Sequence, residues 1–200
     1  SLQRLFFYNN QLSQELPIQL GQLISLVELN FSDNQLSGSI PNTIANLNNL
    51  VYLNLGDNDL SGELPINMVN LTNLHYFIIR NNNIAGNIFT GIDNLQNLTV
   101  LDLSNNQIEG IIPQEIGNLA ILEYLNLREN ELSGIIPESI GNLINLEYLS
   151  MRDNELIGSI PSTIGNLVNL EKIYLYNNQL TGELPNSIEN LVNLVELYLY

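Results

Sequence analysis

The sequence contains no cysteine, and its five lysines and arginines stand against 21 aspartates and glutamates. The absence of cysteine excludes a disulfide framework, a thiolate metal site and a cysteine nucleophile. The formal net charge of −16 argues against nucleic acid or an anionic membrane surface as the main partner, because both attract positive charge. No apolar run approaches the roughly 20 residues of a membrane-spanning helix, so we expect no membrane insertion within this segment.

Side chains that carry out chemistry are also scarce. The one histidine, His75, has no cysteine or second histidine with which to share a metal ion. Carboxylates come together in the stretches GDND (56–59) and DNE (153–155), but oxygen ligands this scattered are typical of solvated charge rather than of a calcium site. No glycine-rich phosphate loop follows a strand. We therefore predict no catalytic residue, no metal and no cofactor, and we expect that this chain is not an enzyme.

What the sequence does contain is one pattern repeated every 24 residues without a gap. Its consensus is LxxLxLxxNxLxGxIPxxIxNLxN, in which Leu, Ile, Phe and Met interchange at the apolar positions. The full rows begin at Leu2, Leu26, Leu50, Leu74, Leu98, Leu122, Leu146 and Leu170, and a partial ninth row begins at Leu194. One row cannot bury its apolar side alone, whereas stacked rows can. We therefore expect residues 1–200 to form a single solenoid, and we expect the chain to be a fragment of a longer array.

The first half of each row predicts a strand followed by a turn. Apolar residues at positions 4 and 6, such as Leu53 and Leu55, alternate with a period of two and indicate a short strand with one buried face. Asparagine occupies position 9 of every full row, which indicates a buried amide that binds the backbone where the chain turns. Stacked at one rung spacing, these side chains form a predicted structural ladder of Asn10, Asn34, Asn58, Asn82, Asn106, Asn130, Asn154 and Asn178.

The second half of each row predicts turns. Glycine at position 13, from Gly38 to Gly182, indicates a positive φ or close backbone packing, and Gln14 is the exception. All seven prolines lie at position 16, where they exclude a central strand; the fourth row has Phe89 instead. The remaining residues are too few for a standard helix and predict a brief 3₁₀ or α turn. The sequence thus predicts an α/β solenoid with a parallel sheet on its concave side and short turns on its convex side.

The motif LxxLxLxxNxLxGxIPxxIGNL resembles the leucine-rich repeat, in its plant-type subclass of 24 residues, and the likeness covers essentially the whole chain. Such repeats form the ectodomains of plant receptor-like kinases and also polygalacturonase-inhibiting proteins, and similar repeats occur in microbial surface proteins. The resemblance implies a curved, right-handed repeat array, an extracellular or cell-surface location and a recognition role. It does not specify a ligand, because the family is defined by its scaffold.

Positions 3, 5 and 7 point away from the core of the predicted strand, onto the concave side. All nine tyrosines and all five basic residues lie in these three columns, a concentration that the strand propensity of tyrosine does not explain. Tyrosine and arginine are also enriched at interface hot spots. We therefore predict a ligand-binding face formed by Tyr52, Tyr76, Arg80, Tyr124, Arg128, Tyr148, Arg152, Lys172, Tyr174, Tyr176, Tyr198 and Tyr200.

Two parts of this predicted face stand out. Arg128 and Arg152 share a column on adjacent rungs, so their like charges need compensation. Either they pair internally, as Arg152 with Glu129 or Arg128 with Asp153, or they form a fork for an acceptor group of a ligand. The second part is the block of four tyrosines in the last two rows, which suits a peptide or sugar rings unless another segment covers it.

Three functions are compatible with this pattern. The leading hypothesis is a non-catalytic recognition module that binds a protein or peptide ligand, within a cell-surface receptor or a secreted or surface protein. A module that binds glycan or cell wall through its tyrosines is one alternative. A structural spacer or adhesin stalk is the other, because acidic and nearly identical rows suit an array in which only length matters.

Overall fold

The computed structural model describes residues 1–199, and these form the repeat array that the sequence predicts. A typical row contributes a three-residue strand, a second strand and then a 3₁₀ helix. Equivalent segments of successive rows lie side by side, so each row contacts mainly its two neighbours. The prediction of a curved, right-handed α/β solenoid is confirmed.

A parallel sheet of nine strands, within the described residues, lines the concave side. Neighbouring strands pair at an offset of one full row, as Leu5 does with Leu29 and Leu125 with Leu149. The strands are Arg4–Phe6, Glu28–Asn30, Tyr52–Asn54, Tyr76–Ile78, Val100–Asp102, Tyr124–Asn126, Tyr148–Ser150, Lys172–Tyr174 and Glu196–Tyr198. Because the offset never changes, each column of the repeat forms a straight line across the sheet.

The described residues also form a second parallel sheet, which the sequence analysis did not predict. Its strands are Ser13–Glu15, Gln35–Ser39, Asp59–Glu63, Asn83–Asn87, Gln107–Ile111, Glu131–Ile135, Glu155–Gly158 and Gln179–Leu180. Stretches such as QLSGS (35–39) lack the apolar and polar alternation that marks a strand in sequence. The strands end before position 16, so the proline there still lies outside the sheet.

The 3₁₀ helices lie on the convex side, as predicted. They are Ile18–Gln22, Asn42–Asn46, Ile66–Asn70, Ile92–Asn94, Gln114–Asn118, Glu138–Asn142, Ser162–Asn166 and Asn186–Asn190. Seven of them follow the proline of position 16, whose ring fixes a φ close to −65° and so favours the start of a helical turn. The fourth is shorter and follows Gly91, which has a φ of 83°.

One continuous core runs through the solenoid between the two sheets and the helices. Leu53, Leu101 and Leu125 are completely buried at position 4, and Phe77 is equally buried in the same column. Burial of such a side chain contributes about 1.5–3 kcal/mol. Glycine at position 13 keeps neighbouring rows close: Gly110 has a φ of 77°, and a Cβ there would lie 2.0 Å from the side-chain oxygen of Asn87.

Seven of the eight asparagines of position 9 bridge neighbouring rows as a ladder, whereas the side chain of Asn10, predicted to belong to it, is exposed and bonds only within its own row. Asn82 is 8% exposed; its Nδ2 donates to the backbone oxygens of Leu55, Ile79 and Arg80 at 3.0–3.1 Å, and its Oδ1 accepts the backbone N–H of Leu60 at 3.0 Å. One amide therefore satisfies backbone groups of two successive rows. The same arrangement recurs at Asn34, Asn58, Asn106, Asn130, Asn154 and Asn178.

We expect Asn82→Ala to lower the free energy of unfolding by about 2–4 kcal/mol, because a buried N–H and three carbonyls each lose a partner. Asn10→Ala is the matched control, since Asn10 is exposed and donates only to the carbonyls of Phe7 and Tyr8 in its own row. We expect a loss below about 1 kcal/mol there. Urea unfolding measures both values, and equal losses would contradict the role of the ladder.

Candidate ligand-binding face

The outward-pointing residues at positions 3, 5 and 7 of each row form one surface, which we call the concave face. The strand register aligns their columns, so that Tyr124 lies between Val100 and Tyr148 on the neighbouring strands. The residues predicted to form the site lie in these columns. One of them, Tyr200, lies outside the described residues.

Stacked tyrosines dominate the C-terminal half of this face. The rings of Tyr124 and Tyr148 are nearly parallel, with centroids 4.4 Å apart and an interplanar angle of 9°. Tyr148 contacts Tyr174 at 5.7 Å, and Tyr174 stacks on Tyr198 at 5.4 Å. These four residues, which we call the tyrosine run, cross from column 3 to column 5 as they pass along the solenoid. They present ring surface in the geometry that aromatic pairs prefer.

A separate pair of tyrosines lies toward the N-terminal end. Tyr52 and Tyr76 have centroids 5.6 Å apart and are tilted by 47°. The next position in their column is Val100, and this aliphatic residue separates the pair from the tyrosine run. The predicted site residues therefore form two aromatic patches and not one continuous strip.

Most basic residues of the concave face are held by acids of the same face or its edge. Lys172 lies 2.8 Å from Glu196, and Arg80 lies 3.1 Å from Asp57. Arg4 pairs likewise with Glu28 at 3.0 Å. These pairs are partly exposed, and such pairs typically contribute about 0–1 kcal/mol. A charged ligand group that offers comparable contacts can therefore displace them.

The two arginines of adjacent rungs differ in their surroundings. Arg152 donates to Glu129 at 2.7 Å and to Asp153, and its guanidinium lies 5.4 Å from the ring centroid of Tyr176. Internal pairing, one of the two possibilities considered from the sequence, is therefore present for Arg152. Its side chain is only 19% exposed.

Arg128 is held less firmly. Its nearest carboxylate oxygen belongs to Glu129, at 3.6 Å from Nη1, and the pairing with Asp153 considered from the sequence is not among its contacts. Its Nε is buried and has no hydrogen-bond partner in the described part of the chain, while the side chain as a whole is 35% exposed. Buried donors normally have a partner. Of the five bases, Arg128 has the longest ion pair, so its terminal nitrogens are the least firmly held.

Several polar side chains of the concave face serve the backbone instead. Oδ1 of Asp102 accepts the backbone N–H and the hydroxyl of Ser104 at 3.1 and 2.6 Å. Oδ1 of Asn126 likewise accepts the N–H of Arg128 at 3.4 Å. Asp102 is 6% exposed and Asn126 is 4% exposed. The recurrence of Asn and Asp at position 5 was the signal available in the sequence for this local capping.

Position 8, at the edge of the face, has a backbone role that sequence reasoning missed. All eight of its residues have a φ of 52–57°, in the left-handed region. Asparagine and aspartate tolerate this region well, and they fill the position in every row except one. The exception is Glu129, whose φ is 53° and whose carboxylate lies between Arg128 and Arg152. A less suitable residue thus occupies the position at the point where two arginines meet.

Burial and charge shift the ionisation of this surface. Burial, assisted by the negative charge of Asp102 and by Tyr148, raises the pKa of Tyr124 to about 12. The hydrogen bond that the Tyr174 hydroxyl donates to Glu196 raises the pKa of that phenol. The hydrogen bonds from Lys172 and then Tyr174 lower the pKa of the Glu196 carboxyl. The phenols of Tyr124 and Tyr174 therefore stay protonated at neutral pH.

Two other kinds of site are absent from residues 1–199. No group of three or more histidine, aspartate or glutamate side chains there is arranged to hold a metal ion. Across the same residues, no helix has the length and apolar character required to cross a bilayer.

Models of a known repeat family match nearly all of the chain. One described as a leucine-rich repeat region covers residues 78–200, which is more than half of the sequence, and one for the single leucine-rich repeat covers residues 1–23, 25–47 and 49–71. The chain belongs to the leucine-rich-repeat family. The resemblance that its 24-residue motif indicated is confirmed. No curated protein sequence matches this leucine-rich-repeat chain.

This leucine-rich-repeat chain is similar to parts of longer proteins whose structures have been solved. It is 40% identical to the plant peptide hormone receptor RGFR1 in complex with RGF2, with a TM-score of 0.98 over 99% of this chain and 32% of that one. It is 41% identical to the ectodomain of the Arabidopsis thaliana membrane receptor kinase GASSHO1/SCHENGEN3 in complex with CASPARIAN STRIP INTEGRITY FACTOR 2, with a TM-score of 0.98 over 99% and 24% of the two chains.

A bacterial structure is also similar. The Leptospira interrogans LRR protein LIC12759 is 36% identical, with a TM-score of 0.83 over 97% of this chain and 49% of that one. The leucine-rich-repeat chain therefore spans less than half the length of each of these three proteins.

The raised pKa of Tyr124 predicts a late step in alkaline titration. A tyrosine in the unfolded chain ionises near pH 10, so the neutral form of Tyr124 contributes stability below about pH 10 that is lost as the pH rises toward 12. We expect native protein, followed by phenolate absorbance, to retain a phenol that ionises above the range seen in concentrated urea. Tyr124→Phe should reduce the late absorbance change by one phenol, with that of Tyr174 remaining, and Asp102→Asn should move the Tyr124 step to lower pH. A native titration that Tyr124→Phe leaves unchanged would contradict the assignment.

Proposed function

We propose that the concave face of this leucine-rich-repeat chain binds an extended peptide segment of a protein ligand, in an extracellular or cell-surface protein. The observation that carries the proposal is Arg128, whose terminal nitrogens are held only by a carboxylate at 3.6 Å, on the same face as the stacked rings of Tyr124 and Tyr148. A guanidinium with remaining donors suits a carboxylate or carbonyl acceptor. Ring faces suit the apolar parts of a peptide. The two similar plant proteins described above, solved in complex with RGF2 and CASPARIAN STRIP INTEGRITY FACTOR 2, support this class of role.

Charge favours a ligand with acidic or mixed character over a basic one at this face. The three columns hold all five bases of the chain and only three acids, Glu28, Asp102 and Glu196. Of these, Asp102 is buried, so its carboxylate is largely inaccessible to a ligand. The remaining acids of the chain lie outside these columns. A peptide acid can therefore reach Arg128 and compete with Glu129 for it.

A glycan ligand and an inert spacer remain the competing functions. Stacked phenols also suit sugar rings. The ion pairs of most bases would suit a face that binds nothing. Both alternatives become outcomes of the experiment below.

The concave face can be tested with a random linear dodecapeptide library displayed on phage. Peptides selected on the wild-type chain are counter-selected against the variant Tyr124→Ala/Arg128→Ala/Tyr148→Ala. Glu123→Ala/Glu147→Ala is the matched control, since these exposed residues precede the same two strands but lie outside the columns of the face. We expect enriched peptides to lose at least about tenfold in affinity for the triple variant and to keep it for the control.

The triple variant must first show wild-type circular dichroism, because Tyr124 is half-buried. Peptides that bind both variants equally would rule out this face. A glycan array on which Tyr148→Ala abolishes binding would favour the glycan-binding function. The absence of both peptide binding and glycan binding would favour the spacer.

Glu129 provides a second test. Glu129→Asn places a residue suited to the left-handed region at position 8 and removes the carboxylate that lies between Arg128 and Arg152. We expect the free energy of unfolding to change by less than about 1 kcal/mol, and acidic selected peptides to bind about three- to tenfold more tightly. Asp33→Asn, at the same position of another row, is the control and should leave peptide affinity unchanged. Weaker binding by Glu129→Asn would show that Glu129 supports the site and does not compete with the ligand.

A further inference from the structure

The fourth row interrupts the repeat on the side of the solenoid away from the concave face. It reads NIFTGID where the other rows have proline in third place, as in IIPQEIG (111–117), so that Phe89 replaces the proline. Its 3₁₀ helix begins only at Ile92, after Gly91 at a φ of 83°, and is two residues shorter than the others. The neighbouring rows keep their full helices, Ile66–Asn70 and Gln114–Asn118. A depression is left between them.

This depression is a groove of about 590 Å³, which we call the lateral groove. The buried side chains of Leu64 and Phe89 form part of its floor, and Ile66 and Ile111 form part of its walls. Ile66 is 54% exposed and Ile111 is 64% exposed. Its volume lies within the range of ordinary ligand clefts, roughly 300–1,000 Å³. The groove is thus large enough to take side chains of a partner.

The apolar surface continues beyond the groove along the second sheet. A smaller hollow of about 200 Å³ shares Ile111 and is lined by Ile135, which is 59% exposed. Ile135 is in turn the register partner of Ile157, which is 48% exposed. Exposed isoleucines on adjacent strands form a contiguous patch rather than single surface residues. Contiguous apolar patches of this kind mark interaction sites.

Charges around the patch have one sign. Glu63 and Glu115 line the lateral groove. On the adjoining strands, Glu109 and Glu131 are register partners and both are exposed. All five bases of the chain lie in the columns of the concave face, so no lysine or arginine offsets these carboxylates. The groove therefore combines apolar walls with a negative field.

We propose that the lateral groove docks a protein segment that carries one or two large apolar side chains flanked by lysine or arginine. The apolar residues would cover Ile66 and Ile111, and the cations would meet Glu63 and Glu115. A second copy of the chain fits poorly, because it would bring a net charge of −16 to an already negative surface. This surface is separate from the proposed peptide-binding face and opposite to it in charge.

The test uses the dodecapeptide library with a different counter-selection, the variant Ile66→Ser/Ile111→Ser. Both side chains are more than half exposed, so the fold should tolerate serine. The matched control is Ile24→Ser/Ile144→Ser, because Ile24 and Ile144 are similarly exposed (62% and 55%) and lie outside the groove. We expect enriched peptides to be apolar and basic, to lose at least about tenfold in affinity for the groove variant and to keep it for the control. The variant Glu63→Gln/Glu115→Gln should bind these peptides more weakly than wild type, and higher salt should weaken their binding to wild type.

Binding to the concave variant Tyr124→Ala/Arg128→Ala/Tyr148→Ala should be unchanged, which separates this proposal from that of the peptide-binding face. The proposal fails if no peptide distinguishes the groove variant from wild type, or if the enriched peptides are acidic or insensitive to salt. It also fails if sedimentation shows that the wild-type chain self-associates and that Ile66→Ser/Ile111→Ser abolishes the association, since the groove would then be an interface between copies.

Discussion

The hydrogen bonds of the position-9 asparagines set the geometry on which the rest of this molecule depends. Each internal amide ties the backbone of its own row to that of the row before it, as Asn82 does through Leu55 and Leu60. Such bonds leave little freedom in the spacing or register of neighbouring rows. A column of the sequence therefore becomes a line in space, and the substitutions within a column can be compared as neighbours on one surface.

This alignment explains why the concave face gathers side chains suited to recognition and also why most of its charged groups pair with one another. Tyr124 and Tyr148 stack because the register places them on adjacent strands in the same column. The same register brings Lys172 beside Glu196, and these two residues pair with each other. Recognition is thus expected where self-pairing is incomplete, and Arg128 is the base for which it is least complete.

The sequence predicted what depends on period alone and missed what depends on local backbone or side-chain choice. The core leucines, the asparagine ladder and the 3₁₀ turns follow from residues that recur every 24 positions. The second sheet, for example Gln35–Ser39, was missed because its residues do not alternate, Gly38 lies within it and Pro41 follows soon after it. The left-handed backbone at Glu129 was missed because glutamate gives no signal for it, although Asn and Asp in the other rows do.

Side-chain partners were the least predictable part of the candidate site. From the sequence, Arg152 could either pair internally or bind a ligand group. In the structure it contacts Glu129, Asp153 and the Tyr176 ring, and this outcome depends on side-chain rotamers that no sequence pattern encodes. The lateral groove depends likewise on where one helix begins. Phe89 was visible as an exception in its column, but its consequence, a delayed helix beside two full ones, arises only when the rows are stacked.

The two surfaces differ because the chain separates its charges. Every lysine and arginine lies on the concave face, whereas most carboxylates lie elsewhere, including those of the lateral groove. A solenoid permits this separation, since each row exposes two faces from different positions of the same repeat and the faces can vary independently. The two proposals therefore place an acidic segment at one face and a basic segment at the other. Charge alone can therefore direct two different partners to one short array without overlap between their sites.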